Sequence, residues 1–196
     1  MGDAPYPSTN EKERLPMSAN PELSNVSELR ERARRDIHEG AITPSYGCDK
    51  NQIIELLNDA LATELVCTLR YRRHYYTARG LASNSVAEEF LEHSGEELEH
   101  ADQLAARISE LGGNPNFSPD GLAGRSHAEY VEADTLEDMI RENLIAERIA
   151  IESYREIIQF IGEGDPTTRR LFENILATEE EHAEDLISLT KGLGAS

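Results

Sequence analysis

A chain of 196 residues with 38% hydrophobic content is long enough for one globular domain with a real core plus a tail. Its formal net charge of −19 disfavours the generic electrostatic attraction to DNA that a basic surface provides, and favours the attraction of cations. Two cysteines, Cys48 and Cys67, lie at neither CxxC nor zinc-type spacing, which argues against a disulfide scaffold, a rubredoxin-like module or a zinc site.

Residues 1–20 lack the apolar stretch of a signal peptide, and no run approaches the ~20 apolar residues a spanning helix needs. A reduced, cytoplasmic protein with no membrane partner is therefore expected. Residues 1–23, rich in proline and small polar residues, read as a mobile arm. Asn25 to His38 reads as a short amphipathic helix, with Asn25 and Glu28 at capping-box spacing and Gly40 as its stop. It carries the dense basic patch Arg30, Arg32, Arg34 and Arg35.

Four long helices follow. The first starts at Asp49, with Gln52 at the reciprocal cap position, and runs to about Arg79 before Gly80. The second starts after Ser83 or Ser85 and ends at Gly112-Gly113. The third starts at Thr135 and ends near Gly162; the fourth has Asp165 as N-cap and Pro166 at its first position, and runs to about Lys191. Apolar residues recur at helical spacing in each, and no segment shows strand alternation. The first and second helices, and the third and fourth, are joined by a few residues and form antiparallel hairpins. The link from Gly113 to Asp134 is long enough to cross the bundle lengthwise. The expected fold is all-α, an antiparallel four-helix bundle over residues 47–192 with one crossover, an N-terminal extension over 1–46 and a tail at 193–196.

Two Glu-x-x-His tetrads stand out, Glu97 to His100 and Glu179 to His182, each preceded by a lone helical glutamate. Glu64 lies 33 residues before Glu97, and Glu147 lies 32 before Glu179. The midpoint of each pair falls in a hairpin turn, at Gly80/Leu81 and at Glu163. Each pair is thus level across its hairpin, about 25 Å from the bend at the helical rise. Tyr71 and Tyr154 stand seven residues after Glu64 and Glu147, each followed by Arg, so the chain reads as two copies of one helix hairpin. Four buried glutamates cost several kcal/mol each or protonate. Two divalent ions neutralise them, and two neutral imidazoles fill further coordination positions. Mixed O/N ligands suit Fe(II) or Mn(II) better than Zn(II).

Those residues resemble the ferritin-like superfamily, particularly bacterioferritin and the Dps-like proteins, over about residues 47–192. The same Glu plus Glu-x-x-His arrangement is the general pattern of ferritin-like metal sites. The resemblance implies a ferroxidase that oxidises Fe(II) with O2 or H2O2 at two iron ions per subunit, for iron storage and oxidative-stress protection. Glu64 and His100 would be terminal ligands of one iron, Glu147 and His182 of the other, and Glu97 and Glu179 would bridge. Tyr71 matches the family's tyrosine beside the site, an electron donor or simply a core aromatic. Bacterioferritin's haem Met falls here at Leu98, so no haem is expected. Only 14 residues follow His182, which favours a 12-mer cage over a 24-mer.

Other readings stay open on the sequence: a manganese catalase or rubrerythrin-like peroxidase without storage, the latter disfavoured by the missing CxxC pairs; a DNA-compacting protein using Arg30 to Arg35, with DNA an unfavoured partner; or a metal-free scaffold. Glu96, Glu99, Glu180 and Glu181 read by helical phase as surface charge. Cys67 reads as a buried small apolar residue. His74, His93 and His127 read as ordinary polar contacts, with His93, four before Glu97, as an alternative accessory ligand.

Overall fold

The computed structural model describes residues 23–78 and 83–193. The arm before Leu23 and the turn at Gly80/Leu81 lie outside the described residues. All regular structure among the described residues is helical, and no helix there is long and apolar enough to cross a membrane.

Helix α1 spans Val26–Arg32, with the Asn25 side chain accepting from the Glu28 amide as expected. It ends six residues before His38. No residue in it is buried, and a helix this short has little stability of its own. The Arg34 guanidinium takes the Arg30 carbonyl at 2.7 Å, and Asp36 turns to φ 49° ahead of a 3-10 turn at Ile37–Glu39.

Helix α2 spans Lys50–Thr77, its Asp49 cap accepting from the amides of Asn51 and Gln52. Helix α3 spans Ser83–Glu110. Gly112 then adopts φ 77°, and the Gly113 and Gly112 amides close back on Ile108 and Ser109, a glycine-terminated helix end. The link holds one further turn, α4 at Leu122–Arg125, which the sequence did not disclose. Helix α5 spans Leu136–Ile161, capped by Thr135 on the Asp138 amide. Helix α6 spans Pro166–Leu193, with Asp165 accepting from the Thr168 amide, and it continues through Gly192 where a stop was expected.

The link tracks α2 from one end to the other. Asn116 N bonds Asn58, His127 N bonds Thr63, Glu129 O accepts from Arg70, and Glu132 pairs with Arg73. That path returns the chain to the start of α5 at the opposite end, as the crossover topology requires.

Two large apolar clusters fill the ends of the bundle, and Cys67, Ala128 and Ala146 form a third, small one. One large cluster gathers Ile53, Leu57, Leu61, Leu104, Ile108, Tyr154, Ile157, Phe172 and Ile175. The other gathers Tyr71, Val86, Phe90, Met139, Ile140 and Leu186 at the far end. The level between them is polar.

The first cluster's end of the bundle is tied by Asp165. Arg107 on α3 donates to both its oxygens at 3.1 Å, Thr168 caps on it, and the Tyr46 hydroxyl donates to it at 2.9 Å. Beside it the Gly47 amide donates to the Gly164 carbonyl at 3.0 Å. A Cβ on Gly47 would stand 2.9 Å from the Gly164 Cα, so backbone meets backbone where only glycine fits.

Candidate metal centre

The polar level receives one glutamate from α2 (Glu64), one from α5 (Glu147), and a Glu–His pair from each of α3 (Glu97, His100) and α6 (Glu179, His182). All six are buried, none more than 5% exposed. Positions i and i+3 share a helix face, so each Glu-x-x-His presents both side chains inward. The structure brings the six into two overlapping groups, Glu64/Glu97/His100/Glu179 and Glu97/Glu147/Glu179/His182. In each, the candidate donor atoms lie within 4.8 Å of one another. Glu97 and Glu179 belong to both groups.

Seven polar atoms of these six residues are buried without a hydrogen-bond partner: Glu64 Oε2, Glu97 Oε1, His100 Nδ1, Glu147 Oε2, both oxygens of Glu179, and His182 Nδ1. His100 Nδ1 is 2.9 Å from Glu179 Oε1 and 3.4 Å from Glu64 Oε2, close in distance but not in hydrogen-bond geometry. Unpaired buried polar atoms are rare and costly. Seven converging on one level fit a site for cations, with hard carboxylate oxygens and borderline imidazole nitrogens as donors.

The remaining oxygens are held by tyrosines in a crossed pattern. Tyr71 donates to Glu147 Oε1, and Tyr154 donates to Glu64 Oε1. The second of these was read only as part of the repeat; its position, equivalent to Tyr71, was the signal that it too belonged at the site.

Charge crowding governs the electrostatics. Burial, then Glu97, pushes the Glu64 carboxyl well above the usual range. Burial and the Glu64 charge raise Glu179 to about 7. Burial works the same way on Glu147, but hydrogen bonding and charge from His182 outweigh it and bring it down to about 2. Burial opposes charge on His100, yet Glu179, Glu64 and Glu97 override it and hold the ring up to about 12. His182 is raised in the same manner by Glu147, Glu179 and Glu97. Without other cations, then, the imidazoles serve as the counter-charges of the carboxylates.

A further ring of side chains orients these groups. His182 Nε2 lies 2.7 Å from Glu96 Oε2, which leaves Nδ1 toward the carboxylates. Glu96, read by phase as surface charge, is therefore half-exposed and engaged; its partner lies 86 residues away, beyond the reach of local spacing. Glu180 pairs with Arg155 at the surface, as phase indicated. His93 is 1% exposed, stacks on His182 at 4.0 Å, and places Nδ1 3.2 Å from the Tyr71 hydroxyl. Burial and the neighbouring His182 lower it to about 4.

Cys67 is buried, and burial pushes its thiol well up, against the nearby Arg70. Arg70 was not singled out from the sequence, yet it is 1% exposed. Its guanidinium is satisfied by Asn143, the Glu129 carbonyl and the Cys67 sulfur. His74 is buried against the same Asn143, an ordinary polar contact.

Residues 54–193 match the family described as the ferritin-like domain. The bacterioferritin of Rhodobacter capsulatus is 34% identical over 149 residues, 73% of this chain and 87% of that protein. The DNA protection during starvation protein of Pyrococcus furiosus is 32% identical over 150 residues, 74% of this chain and 80% of that one. Among solved structures, the bacterioferritin-related protein from Bacteroides fragilis, described as a dodecameric thioferritin, aligns with a TM-score of 0.73 at 32% identity. That alignment covers 76% of this chain and 90% of the other. The Desulfovibrio desulfuricans bacterioferritin, described with a diiron site, aligns at 0.66 and 26% identity over 74% and 82%. The chain belongs to the ferritin-like domain family.

Proposed function

We propose that the protein is a ferroxidase, oxidising Fe(II) to Fe(III) in pairs with O2 or H2O2 for iron storage and protection against peroxide. The observation that carries this reading is the convergence of seven unpaired buried donor atoms on one level of the bundle. Glu64 and His100 would hold one Fe(II), Glu147 and His182 the other, and Glu97 and Glu179 would be shared, as their place in both groups supports. Four carboxylates balance two divalent cations with no net charge left in the apolar interior, and the imidazoles then act as neutral donors.

With peroxide the balance is two Fe(II), one H2O2 and two protons giving two Fe(III) and two waters. A paired site supplies both electrons at once, which avoids the one-electron product, hydroxyl radical. Glu96 fixes the His182 ring, and Tyr154 holds one oxygen of Glu64 so that the other faces inward. Tyr71 would lend an electron, a role that its hydrogen bond to Glu147 supports by giving the phenol proton an acceptor. Likeness to the dodecameric Bacteroides fragilis protein favours a 12-subunit cage. Some relatives carry DNA-binding names, but a net charge of −19 opposes that partner here.

The test is anaerobic Fe(II) loading followed by O2 or H2O2, with stoichiometry and rate recorded for the parent, Glu97→Ala and His182→Ala. Two Fe(II) oxidised rapidly per chain, lost in both variants, is the expected result. Equal rates in all three would remove the assignment.

A further inference from the structure

Beyond the six clustered residues, α3 and α6 border a cleft of about 120 Å³ whose wall includes Glu89, His93, Glu96, Glu181, His182 and Asp185. Glu89, His93 and Glu97 follow one another at i, i+4 on α3, and Asp185 lies three residues after His182 on α6. Glu89 and Asp185 are 31% and 46% exposed at the side chain, whereas His93 is 1% exposed, so a buried imidazole backs two solvated carboxylates.

The proton positions on His93 are constrained by its neighbours. Tyr71 has one hydroxyl proton and gives it to Glu147. The 3.2 Å contact between Tyr71 and His93 Nδ1 is therefore an Nδ1–H donating to the phenol oxygen. In that tautomer Nε2 carries a lone pair. It faces Glu89 Oε1 at 3.4 Å and Asp185 Oδ2 at 3.9 Å, without a hydrogen bond to either. Three acceptor atoms thus face one another, and among the described residues no donor side chain is bonded to them. Glu89, His93 and Asp185 offer donor atoms within 4.8 Å of one another. The alternative grouping of His93 with Glu96 and His182 is already engaged, because His182 Nε2 and Glu96 are bonded at 2.7 Å.

We propose that Glu89, His93 and Asp185 form a separate single-cation site for a divalent transition metal, Fe(II) in the working protein. One imidazole and two carboxylates, open to solvent on one side, suit Fe(II), Mn(II) or Zn(II) bound with water completing the shell. The ring stacked 4.0 Å away is His182, so a cation here sits one side chain from the paired centre. Service as a loading point for that centre rests on the ferroxidase reading; the cation site itself does not.

Crystals of the full-length protein grown without metal and soaked in Zn(II), which is redox-inert, test it by anomalous diffraction near the zinc edge. A peak bonded to Glu89, His93 and Asp185, outside the two at the paired centre, is expected. Glu89→Gln combined with Asp185→Asn keeps size and the His93 stack; it should abolish that peak and lower zinc bound in solution from three per chain to two. No peak there in the parent, or a peak that survives in the double variant, overturns the site. An outer peak without the two inner ones would instead overturn the paired-centre reading and leave this site standing. For the loading role, the double variant should need severalfold more Fe(II) for half-maximal oxidation, and an unchanged concentration dependence would overturn that role.

Discussion

The Tyr154 hydroxyl donates to Glu64 Oε1, a bond that joins the second half of the internal repeat to the first. Tyr71 returns the favour, from the first half to Glu147 in the second. Glu64 and Glu147 therefore each have one oxygen fixed and one without a hydrogen-bond partner. Tyr154→Phe leaves an unsatisfied buried acceptor and should lower metal-free stability by about 1–3 kcal/mol. Thermal unfolding with chelator, against the same with Mn(II), checks it. Part of the loss should return with the cation, because a metal-held carboxylate no longer depends on the tyrosine.

Glu179 produces the opposite sign. Its carboxyl is crowded enough to sit at about 7, so its charge is a burden on the metal-free fold. An acid raised on folding costs stability once pH passes its ordinary carboxylate range, a cost that an amide does not carry, so Glu179→Gln should stabilise the chelated protein at pH 7 by about 1–3 kcal/mol. The same variant should lose most of the thermal stabilisation that Mn(II) gives the parent, a linkage effect of about 2.7 kcal/mol at a hundredfold excess over Kd. Denaturation curves with and without Mn(II) should cross between the two proteins.

How much of this was legible in the sequence depended on the range of the signal. Asp49, Thr135, Asp165 with Pro166, and Gly112 marked helix ends because a cap acts within three residues of itself. Asn25 marked a start equally well, but α1 stopped early, as a short helix with no buried residue does. The one-turn α4 carried no periodicity to read. The six clustered residues emerged because a duplicated hairpin repeats its spacing. Glu96 and Arg70 did not, since their partners lie 86 and 73 residues away and phase says nothing of them.

Asp165 is a structural counterpart to the charged cluster. Burial works to raise its carboxyl, but Thr168, Tyr46 and Arg107 prevail and hold it below the usual range. A depressed folded value contributes stability above the ordinary carboxylate pKa, and that contribution is lost as pH falls through the folded value. Asp165→Asn should therefore be less stable than the parent at pH 7, with the gap closing below about pH 4. Asp165→Ala, which strands the buried Arg107, should cost about 3–5 kcal/mol. Urea unfolding at several pH values measures both.

The two thiols should separate by reactivity. Burial keeps Cys67 both covered and protonated, while Cys48 is partly exposed. Iodoacetamide on the native protein should label Cys48 roughly ten times faster or more, since only an accessible thiolate reacts. Mass mapping of the alkylated peptides decides it, and comparable rates would show that the interior beside α2 is open.

The backbone clasp between Gly47 and Gly164 fixes where the leading segment departs. Residue 47 is docked on the α5–α6 turn, about 20 Å along the helices from Glu64 and Glu147 at the helical rise. The chain thus joins the bundle at the α5–α6 turn, at the end away from the level of Glu64 and Glu147. Trimming or fusing ahead of the clasp should therefore leave cation binding by the six clustered residues intact, which makes that end of the chain a handle that can be edited apart from the carboxylate level.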